Sequence, residues 1–170
     1  MARSGRRRIY WDADVWLSYI EGIPDRLPTL DILLADSASN VGDITLVTST
    51  VSQTEVAFAQ IERQTQNPDS GIEARIDSLW TDTRAITLIE YHSVIASSAR
   101  GLIRMGLHNG WSLKPLDAIH LATAQWFGVS EFHTYDSRLE KYSDHVGFPV
   151  VRPYVSGDPS ASQIPLPPTE

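Results

Sequence analysis

The sequence predicts an α/β fold in which a mostly parallel sheet carries helices on both faces. Short β-rich segments alternate with helical segments along the chain, which is typical of parallel strands joined by crossover helices. Acidic residues directly follow two of these strands, at the end of the strand where α/β sheets bind their ligands. The 170 residues are enough for one domain with a core of its own.

The first half of the chain opens with a strand and continues through two helices to a second strand. Residues 9–11 predict the first strand, which runs into the acidic turn that begins at Asp12. Residues 15–20 predict a short helix, and residues 30–38 predict an amphipathic one. The β-rich residues 44–48 predict the second strand.

The middle of the chain is predicted to be mainly helical. Residues 52–83 predict a helical hairpin with a turn at residues 67–71. Glu55 completes a Ser-x-x-Glu capping-box pattern, so helix capping is an alternative to any functional role for this acid. Residues 86–88 predict a short strand, and residues 92–108 predict a long helix.

The stretch from residue 114 to residue 136 has the strongest pattern in the sequence. Pro115 suits the first position of a helix, and Gly128 suits a left-handed cap at its end. The residues between them are apolar on nearly every side, which predicts a buried helix with Asp117 in its first turn. Residues 131–134 predict a strand, and Asp136 follows it.

The two ends of the chain differ in composition from its middle. Residues 1–8 are polar and basic and are predicted to be flexible. Residues 9–152 are predicted to form the domain, with a helix near residues 137–142 and a last strand at residues 149–151. Residues 153–170 are rich in Pro and Ser and predict a mobile tail.

Composition excludes several classes of protein. The chain has no cysteine, which rules out disulfides, thiolate metal sites and cysteine nucleophiles. No apolar run approaches the length of a membrane span, so a cytoplasmic protein is expected. The net charge of −7 argues against broad non-specific binding of nucleic acid but is compatible with a metal-dependent nuclease, which must gather carboxylates.

Four acids occupy equivalent places in the predicted fold. Asp12 and Asp136 follow strands, and Glu55 and Asp117 lie in the first turns of helices, so all four are expected at the carboxyl edge of the sheet. Clustered carboxylates repel one another unless a cation is bound, and an all-oxygen ligand set favours Mg²⁺ or Mn²⁺ over zinc. Each acid also has a simpler explanation in helix capping or the helix dipole, and so has Asp14.

The sequence motifs around these acids resemble those of PIN-domain ribonucleases, and most of all those of the VapC toxins of toxin–antitoxin pairs. Residues 9–17 resemble the opening hydrophobic-Asp-x-Asn motif of the family, and residues 48–55 resemble its second motif. Residues 116–124 are the most distinctive match, and residues 134–136 resemble the last motif. The resemblance extends over residues 9–152.

This resemblance implies a PIN-like three-layer sandwich and an endoribonuclease that hydrolyses RNA with a metal-activated water. It implies that Asp12, Glu55, Asp117 and Asp136 bind Mg²⁺ or Mn²⁺. Asp14 stands where the family commonly has Asn or Ser, and it is a further candidate ligand. The resemblance also implies a small antitoxin protein that blocks the cleft, and a homodimer.

Three alternatives stay open at this point. The chain is also compatible with a catalytically silent PIN-like interaction module, or with a nuclease of housekeeping RNA processing. The Asp12-x-Asp14 pattern after a strand superficially fits a haloacid-dehalogenase-like phosphatase, although Asp117 inside a helix fits that class badly.

Some further residues near the predicted site have simpler interpretations. His120 lies one helical turn beyond Asp117 and is expected to be a buried, hydrogen-bonded histidine. Lys114 and Arg138 are candidates for RNA phosphate contacts, although solvated surface positions are the simpler expectation. The indole rings are expected to lie in the core rather than to stack on bases; they belong to Trp11, Trp16 and Trp80.

Overall fold

A computed structural model describes residues 5–157 of the chain. Its centre is a five-stranded sheet with strand order β3-β2-β1-β4-β5, in which every pair of neighbours is parallel. The strands are β1 (Arg7–Trp11), β2 (Ile44–Ser49), β3 (Ile86–Ile89), β4 (Glu131–His133) and β5 (Val150–Val151). The predicted α/β fold is confirmed.

Helices cover both faces of this sheet and make it the middle of three layers. One face carries α1 (Ala13–Ile20), α2 (Leu27–Ala38), α3 (Val51–Glu55), α4 (Gln60–Thr65) and α5 (Ser70–Thr81). The other face carries α6 (Ser93–His108), α7 (Pro115–Phe127), a 3₁₀ helix (Ser137–Tyr142) and α8 (Ser143–Val146). Between residues 5 and 157, no helix is both long enough and apolar enough to cross a membrane.

The alternation of side chains along β1 divides the core in two. Ile9 and Trp11 point to the layer of α1, α2 and α5, whereas Tyr10 points to the layer of α6 and α7. The rings of Trp11 and Trp16 are buried, with centroids 4.6 Å apart, and the ring of Trp80 lies 5.6 Å from that of Trp16. These indoles lie in the core, as expected.

Helix α7 has the bounds that its sequence predicts. Pro115 is at its N-terminus, and Gly128 ends it in a left-handed conformation with φ of 73°. Its buried side packs against α6 and the sheet. The prediction of a fully buried helix is too strong, because Leu116 is 45% exposed and Trp126 is 52% exposed. The sequence has no polar stripe here, so its periodicity could not show which ends of the helix reach solvent.

The segment predicted as a helical hairpin consists of three shorter helices. Helix α3 ends at Glu55, so this residue closes a helix rather than opening one, and the capping-box interpretation is wrong. The hydroxyl of Ser52 is buried and lies 2.8 Å from that of Thr48, so it does not cap the helix. The carboxylate of Glu62 instead accepts from the backbone N–H of Ala59 at the start of α4.

The packed region is wider than the predicted boundaries of the domain. Strand β1 begins at Arg7, inside the segment predicted to be flexible. Tyr154, in the predicted tail, donates a hydrogen bond from Oη to Oε2 of Glu131 over 2.8 Å. The remaining parts of the two predicted tails, residues 1–4 and 158–170, lie outside the described residues.

Candidate active site

Asp12 lies at the carboxyl end of the central strand β1. Its backbone is extended, and its Oδ1 accepts from the N–H of Val15 over 3.2 Å, which makes it the N-cap of α1. The side chain is nearly inaccessible to solvent. The pKa of Asp12 is raised to about 7, chiefly by burial and in smaller part by the negative charge of Asp14, while His120 and Thr134 oppose the rise.

Asp14 lies in the first turn of α1 and is exposed. The pKa of its carboxyl is raised by desolvation and then by the negative charges of Asp136 and Glu55, while Arg26 lowers it. Since Asp12 already caps α1, capping does not explain Asp14. The proposal that Asp14 caps the helix is therefore wrong, and the helix dipole is the structural role that remains for this acid.

Asp117 lies in the first turn of α7, two residues after Pro115. Partial burial raises the pKa of its carboxyl, and the negative charges of Asp136 and Asp14 raise it further. His120 and Lys114 act in the opposite direction. The first turn of α7 therefore adds a carboxylate to the group that contains Asp14 and Asp136.

Asp136 follows β4 and begins the 3₁₀ helix. Arg138 holds it with two parallel contacts, from Nε to Oδ1 over 2.9 Å and from Nη2 to Oδ2 over 2.6 Å. These hydrogen bonds hold the pKa of the Asp136 carboxyl below its ordinary value. Arg138 was a candidate for phosphate contact, and the structure instead pairs it with a predicted metal ligand.

Glu55 reaches the same edge from the end of α3. Its Oε2 lies 2.6 Å from Nε2 of His120, and Nδ1 of His120 lies 2.8 Å from Oη of Tyr10. His120 is buried and hydrogen-bonded, as its sequence position suggested. The contact between Tyr10 and His120 was not predicted from the sequence. Tyr10 lies on a buried strand two residues before Asp12, and a tyrosine hydroxyl in such a position needs a hydrogen-bond partner, which is a signal that the sequence contains.

The structure thus brings the five predicted acids to one edge of the sheet. Asp14 is electrostatically coupled to Glu55 and Asp136, and Asp117 is coupled to Asp14 and Asp136. Within residues 5–157, however, no group of three or more His, Asp or Glu side chains is arranged to hold a metal ion. Asp136 is paired with Arg138 and Glu55 with His120, so two of the carboxylates have protein partners instead.

The chemistry of these donors nevertheless fits a hard divalent cation. All five offer carboxylate oxygens, which suit Mg²⁺ or Mn²⁺. The pKa values of Asp12, Asp14 and Asp117 are raised, and neighbouring carboxylates contribute to each shift. A bound cation would relieve this repulsion, since an opposite charge favours the ionised form of a carboxyl.

A fold of three layers with acids at the carboxyl edge of a parallel sheet defines an α/β protein whose candidate site consists of carboxylates. The family model of the PIN domain matches residues 9–144. The chain therefore belongs to the PIN-domain family, and the resemblance stated from its motifs is confirmed.

Solved structures of toxin–antitoxin proteins share this fold. A chain in the structure of VapBC2 from Rickettsia felis, bound to a DNA fragment from their promoter, superposes with a TM-score of 0.62 at 12% identity, covering 84% of this chain and 96% of that one. VapC20 from Mycobacterium tuberculosis, a toxin that cleaves the sarcin–ricin loop, gives 0.61 at 16% identity, with 85% and 99% covered. VapBC-1 from nontypeable Haemophilus influenzae gives 0.58 at 12%, with 85% and 97% covered.

These likenesses show a shared fold and nothing beyond it, because the sequence identities are low. No curated protein sequence matches the chain. The PIN-like sandwich expected from the sequence is confirmed by the family match and by the sheet topology.

Proposed function

We propose that this protein is a Mg²⁺- or Mn²⁺-dependent endoribonuclease and the toxin of a toxin–antitoxin pair. The observation that carries the proposal is the convergence of five acids on one edge of a PIN-domain sheet, three of them with raised pKa values. Perturbed carboxyls gathered in a cleft are typical of functional sites. Membership of the PIN family and the fold shared with VapC20 support a nuclease.

The metal would be held by Asp12, Glu55, Asp117 and Asp136, with Asp14 as an additional ligand. A divalent cation in this position would stabilise negative charge on the phosphate as a Lewis acid and would lower the pKa of a bound water. The chain contributes a fixed frame for that cation. Asp12 is held by the first turn of α1, and Glu55 is held by His120.

RNA cleavage by the purified protein tests this proposal. We would incubate a structured RNA pool with the protein in Mg²⁺, in Mn²⁺ and in EDTA, beside Asp117→Asn and the control Asp77→Asn. Asp77 is an exposed aspartate on α5, so the same change there leaves the acidic edge intact. We expect cleavage that needs metal, is lost in Asp117→Asn and persists in Asp77→Asn. Cleavage that survives EDTA or Asp117→Asn would contradict the proposal.

A catalytically silent PIN-like module is the second candidate, and one observation favours it. Arg138 engages both carboxylate oxygens of Asp136, one of the predicted metal ligands. The same assay separates the candidates, because a silent module cleaves no RNA under any metal condition. A housekeeping nuclease would cleave RNA without being inhibited by an antitoxin. The phosphatase alternative is not retained, because Asp117 lies inside α7 of a PIN domain.

We also propose a small antitoxin as partner. The similar structures include complexes named VapBC2 and FitAB, which were solved with DNA fragments. The test is co-expression with the product of the neighbouring gene. Inhibition of RNA cleavage by that product would support the toxin assignment, as would recovery of cleavage when the product is removed by proteolysis. Undiminished cleavage would favour a housekeeping enzyme.

A homodimer is proposed as the form of the free protein. Large apolar side chains on α6 and α7 are exposed, among them Val94, Leu107 and Trp126. Exposed apolar side chains such as these can contribute to an interface between copies of a chain, the form that the family resemblance implies. Light scattering after size exclusion should give twice the mass of the chain, and Leu107→Lys should shift it toward the monomer.

A further inference from the structure

Four polar groups near the acidic edge form one continuous chain of hydrogen bonds. It begins at the backbone N–H of Ser49, which lies 3.0 Å from Oη of Tyr10. It continues from Tyr10 to Nδ1 of His120 over 2.8 Å, and from Nε2 of His120 to Oε2 of Glu55 over 2.6 Å. Strand β1, strand β2 and helices α3 and α7 each supply one member, so the chain links four separate elements.

The direction of these hydrogen bonds is fixed at the two ends of the chain. The amide of Ser49 can only donate, so Oη of Tyr10 accepts from it. Oη of Tyr10 also lies 2.8 Å from Nδ1 of His120, so a second hydrogen bond joins the two side chains. At the other end, the carboxylate oxygen Oε2 of Glu55 can only accept, so Nε2 of His120 donates to it.

The consequence for Glu55 is that its two oxygens have different roles. Oε2 accepts from His120, whereas Oε1 has no hydrogen-bond partner among residues 5–157. Helix α3 has only five residues and ends at Glu55, so the helix alone holds this side chain weakly. His120 is 2% exposed, and packing on every side fixes its ring.

We propose that Tyr10 and His120 are positioning residues that hold Oε2 of Glu55 and thereby turn Oε1 toward the acidic edge. This inference rests on the proposed metal-dependent nuclease activity. Partners that orient a ligating side chain in this way commonly change metal affinity about 10- to 100-fold when they are removed. Neither residue contacts RNA or metal in this role, so their loss should weaken metal binding more than the rate at saturating metal.

Tyr10→Phe is the sharpest variant for a test. It removes one hydroxyl and retains the ring, which stacks on Phe132 with centroids 5.0 Å apart. The matched control is Tyr142→Phe, because Tyr142 is also fully buried and its Oη has no hydrogen-bond partner in the described part of the chain. His120→Leu and His120→Gln form a second pair, since only Gln keeps an N–H that can donate to Glu55.

The first readout is Mn²⁺ binding to the full-length protein without RNA, followed by electron paramagnetic resonance of the free ion. We expect Tyr10→Phe and His120→Leu to weaken Mn²⁺ binding by about tenfold or more. His120→Gln should recover most of the wild-type affinity, and Tyr142→Phe should equal it. The second readout is the rate of RNA cleavage as a function of Mg²⁺ concentration. Tyr10→Phe should raise the Mg²⁺ concentration at which the rate is half-maximal and leave the maximal rate near that of the wild type.

The possible results separate the positioning role from the nuclease assignment. Wild-type protein that binds Mn²⁺ and cleaves RNA, together with unchanged Mn²⁺ affinity in Tyr10→Phe and His120→Leu, overturns the positioning role alone. Equal losses of Mn²⁺ affinity in Tyr10→Phe and Tyr142→Phe also overturn the positioning role, since they indicate a general effect of substitutions in the core. Wild-type protein that neither binds Mn²⁺ nor cleaves RNA overturns the proposed function and this inference with it.

Discussion

Arg138 donates two parallel hydrogen bonds to the carboxylate of Asp136, from Nε to Oδ1 over 2.9 Å and from Nη2 to Oδ2 over 2.6 Å. Both carboxylate oxygens of Asp136 accept from Arg138, so a metal ion that binds Asp136 would have to displace the guanidinium or share these oxygens with it. The side chain of Arg138 is 60% exposed, which screens the pair and keeps its contribution small. Arg138 would therefore compete only weakly with a metal ion for Asp136.

Arg138→Gln should lower the Mg²⁺ concentration needed for half-maximal RNA cleavage. The expected change is at most about fivefold, because exposed ion pairs contribute roughly 0–1 kcal/mol. Arg84→Gln is the control, since Arg84 pairs with Asp82 at the same spacing, two residues apart, before strand β3. An unchanged or increased Mg²⁺ requirement in Arg138→Gln would contradict the competition.

Asp14→Asn should weaken metal binding without destabilising the fold. Asp12 caps α1, so Asp14 contributes only a helix-dipole interaction of about 0.3–1 kcal/mol, which is offset by repulsion from Asp136 and Glu55. Thermal unfolding should therefore shift little, while the affinity for Mn²⁺ falls. Glu73→Gln is the control, because Glu73 is an exposed acid in the first turn of α5. A large loss of stability with unchanged Mn²⁺ binding would show that Asp14 is purely structural.

The acidic edge could be foreseen from the sequence because its acids lie at ends of elements. Asp12, Asp117 and Asp136 flank strong apolar patterns, and the parallel sheet brings such ends together. Glu55 was located correctly at this edge but in the wrong part of its helix, because Ser-x-x-Glu also describes a capping box and the sequence does not show that the hydroxyl of Ser52 bonds to Thr48.

The hydrogen-bond partners of the acids were harder to foresee. Glu55 and His120 are 65 residues apart, and Tyr10 and His120 are 110 apart, so no local pattern links them. Their contact depends on how β1 and α7 pack across the sheet. The fold class follows from periodicity, whereas these pairings follow from tertiary packing that one sequence does not display.

The raised pKa of Asp12 should make stability depend on pH when no metal is present. Its pKa is about 7 in the folded protein and close to 4 in an unfolded chain, so the folded state binds the extra proton between these values. The stabilisation is complete below about pH 4 and is lost as the pH rises through about 7. The loss is on the order of 4 kcal/mol at most.

The difference in melting temperature between the wild type and Asp12→Asn isolates this effect, because Asn also serves as an N-cap. In EDTA, the wild type should lose stability relative to the variant between pH 5 and about pH 8. Buried His133, whose pKa is lowered, acts in the opposite direction but is common to both proteins. Adding Mg²⁺ at the higher pH should stabilise the wild type alone. A difference that does not vary with pH would contradict the raised pKa.

Tyr154 should contribute to stability although it lies beyond the predicted end of the domain. Its Oη donates to Oε2 of Glu131, a buried carboxylate whose Oε1 lies 3.1 Å from Nη2 of Arg7. Tyr154→Phe leaves one oxygen of Glu131 without its donor, which should lower the free energy of unfolding by about 1–3 kcal/mol. Urea denaturation should show a lower midpoint with an unchanged m-value.

Tyr142→Phe is again the matched control, because it removes a buried hydroxyl that has no partner within residues 5–157. It should cost clearly less than Tyr154→Phe. RNA cleavage should be the same in Tyr154→Phe as in the wild type at temperatures well below unfolding, since Glu131 begins β4 and the acidic edge lies at the other end of that strand. Equal costs for the two substitutions would mean that the contact with Glu131 adds nothing, and that the stable domain ends near residue 152 as the sequence predicted.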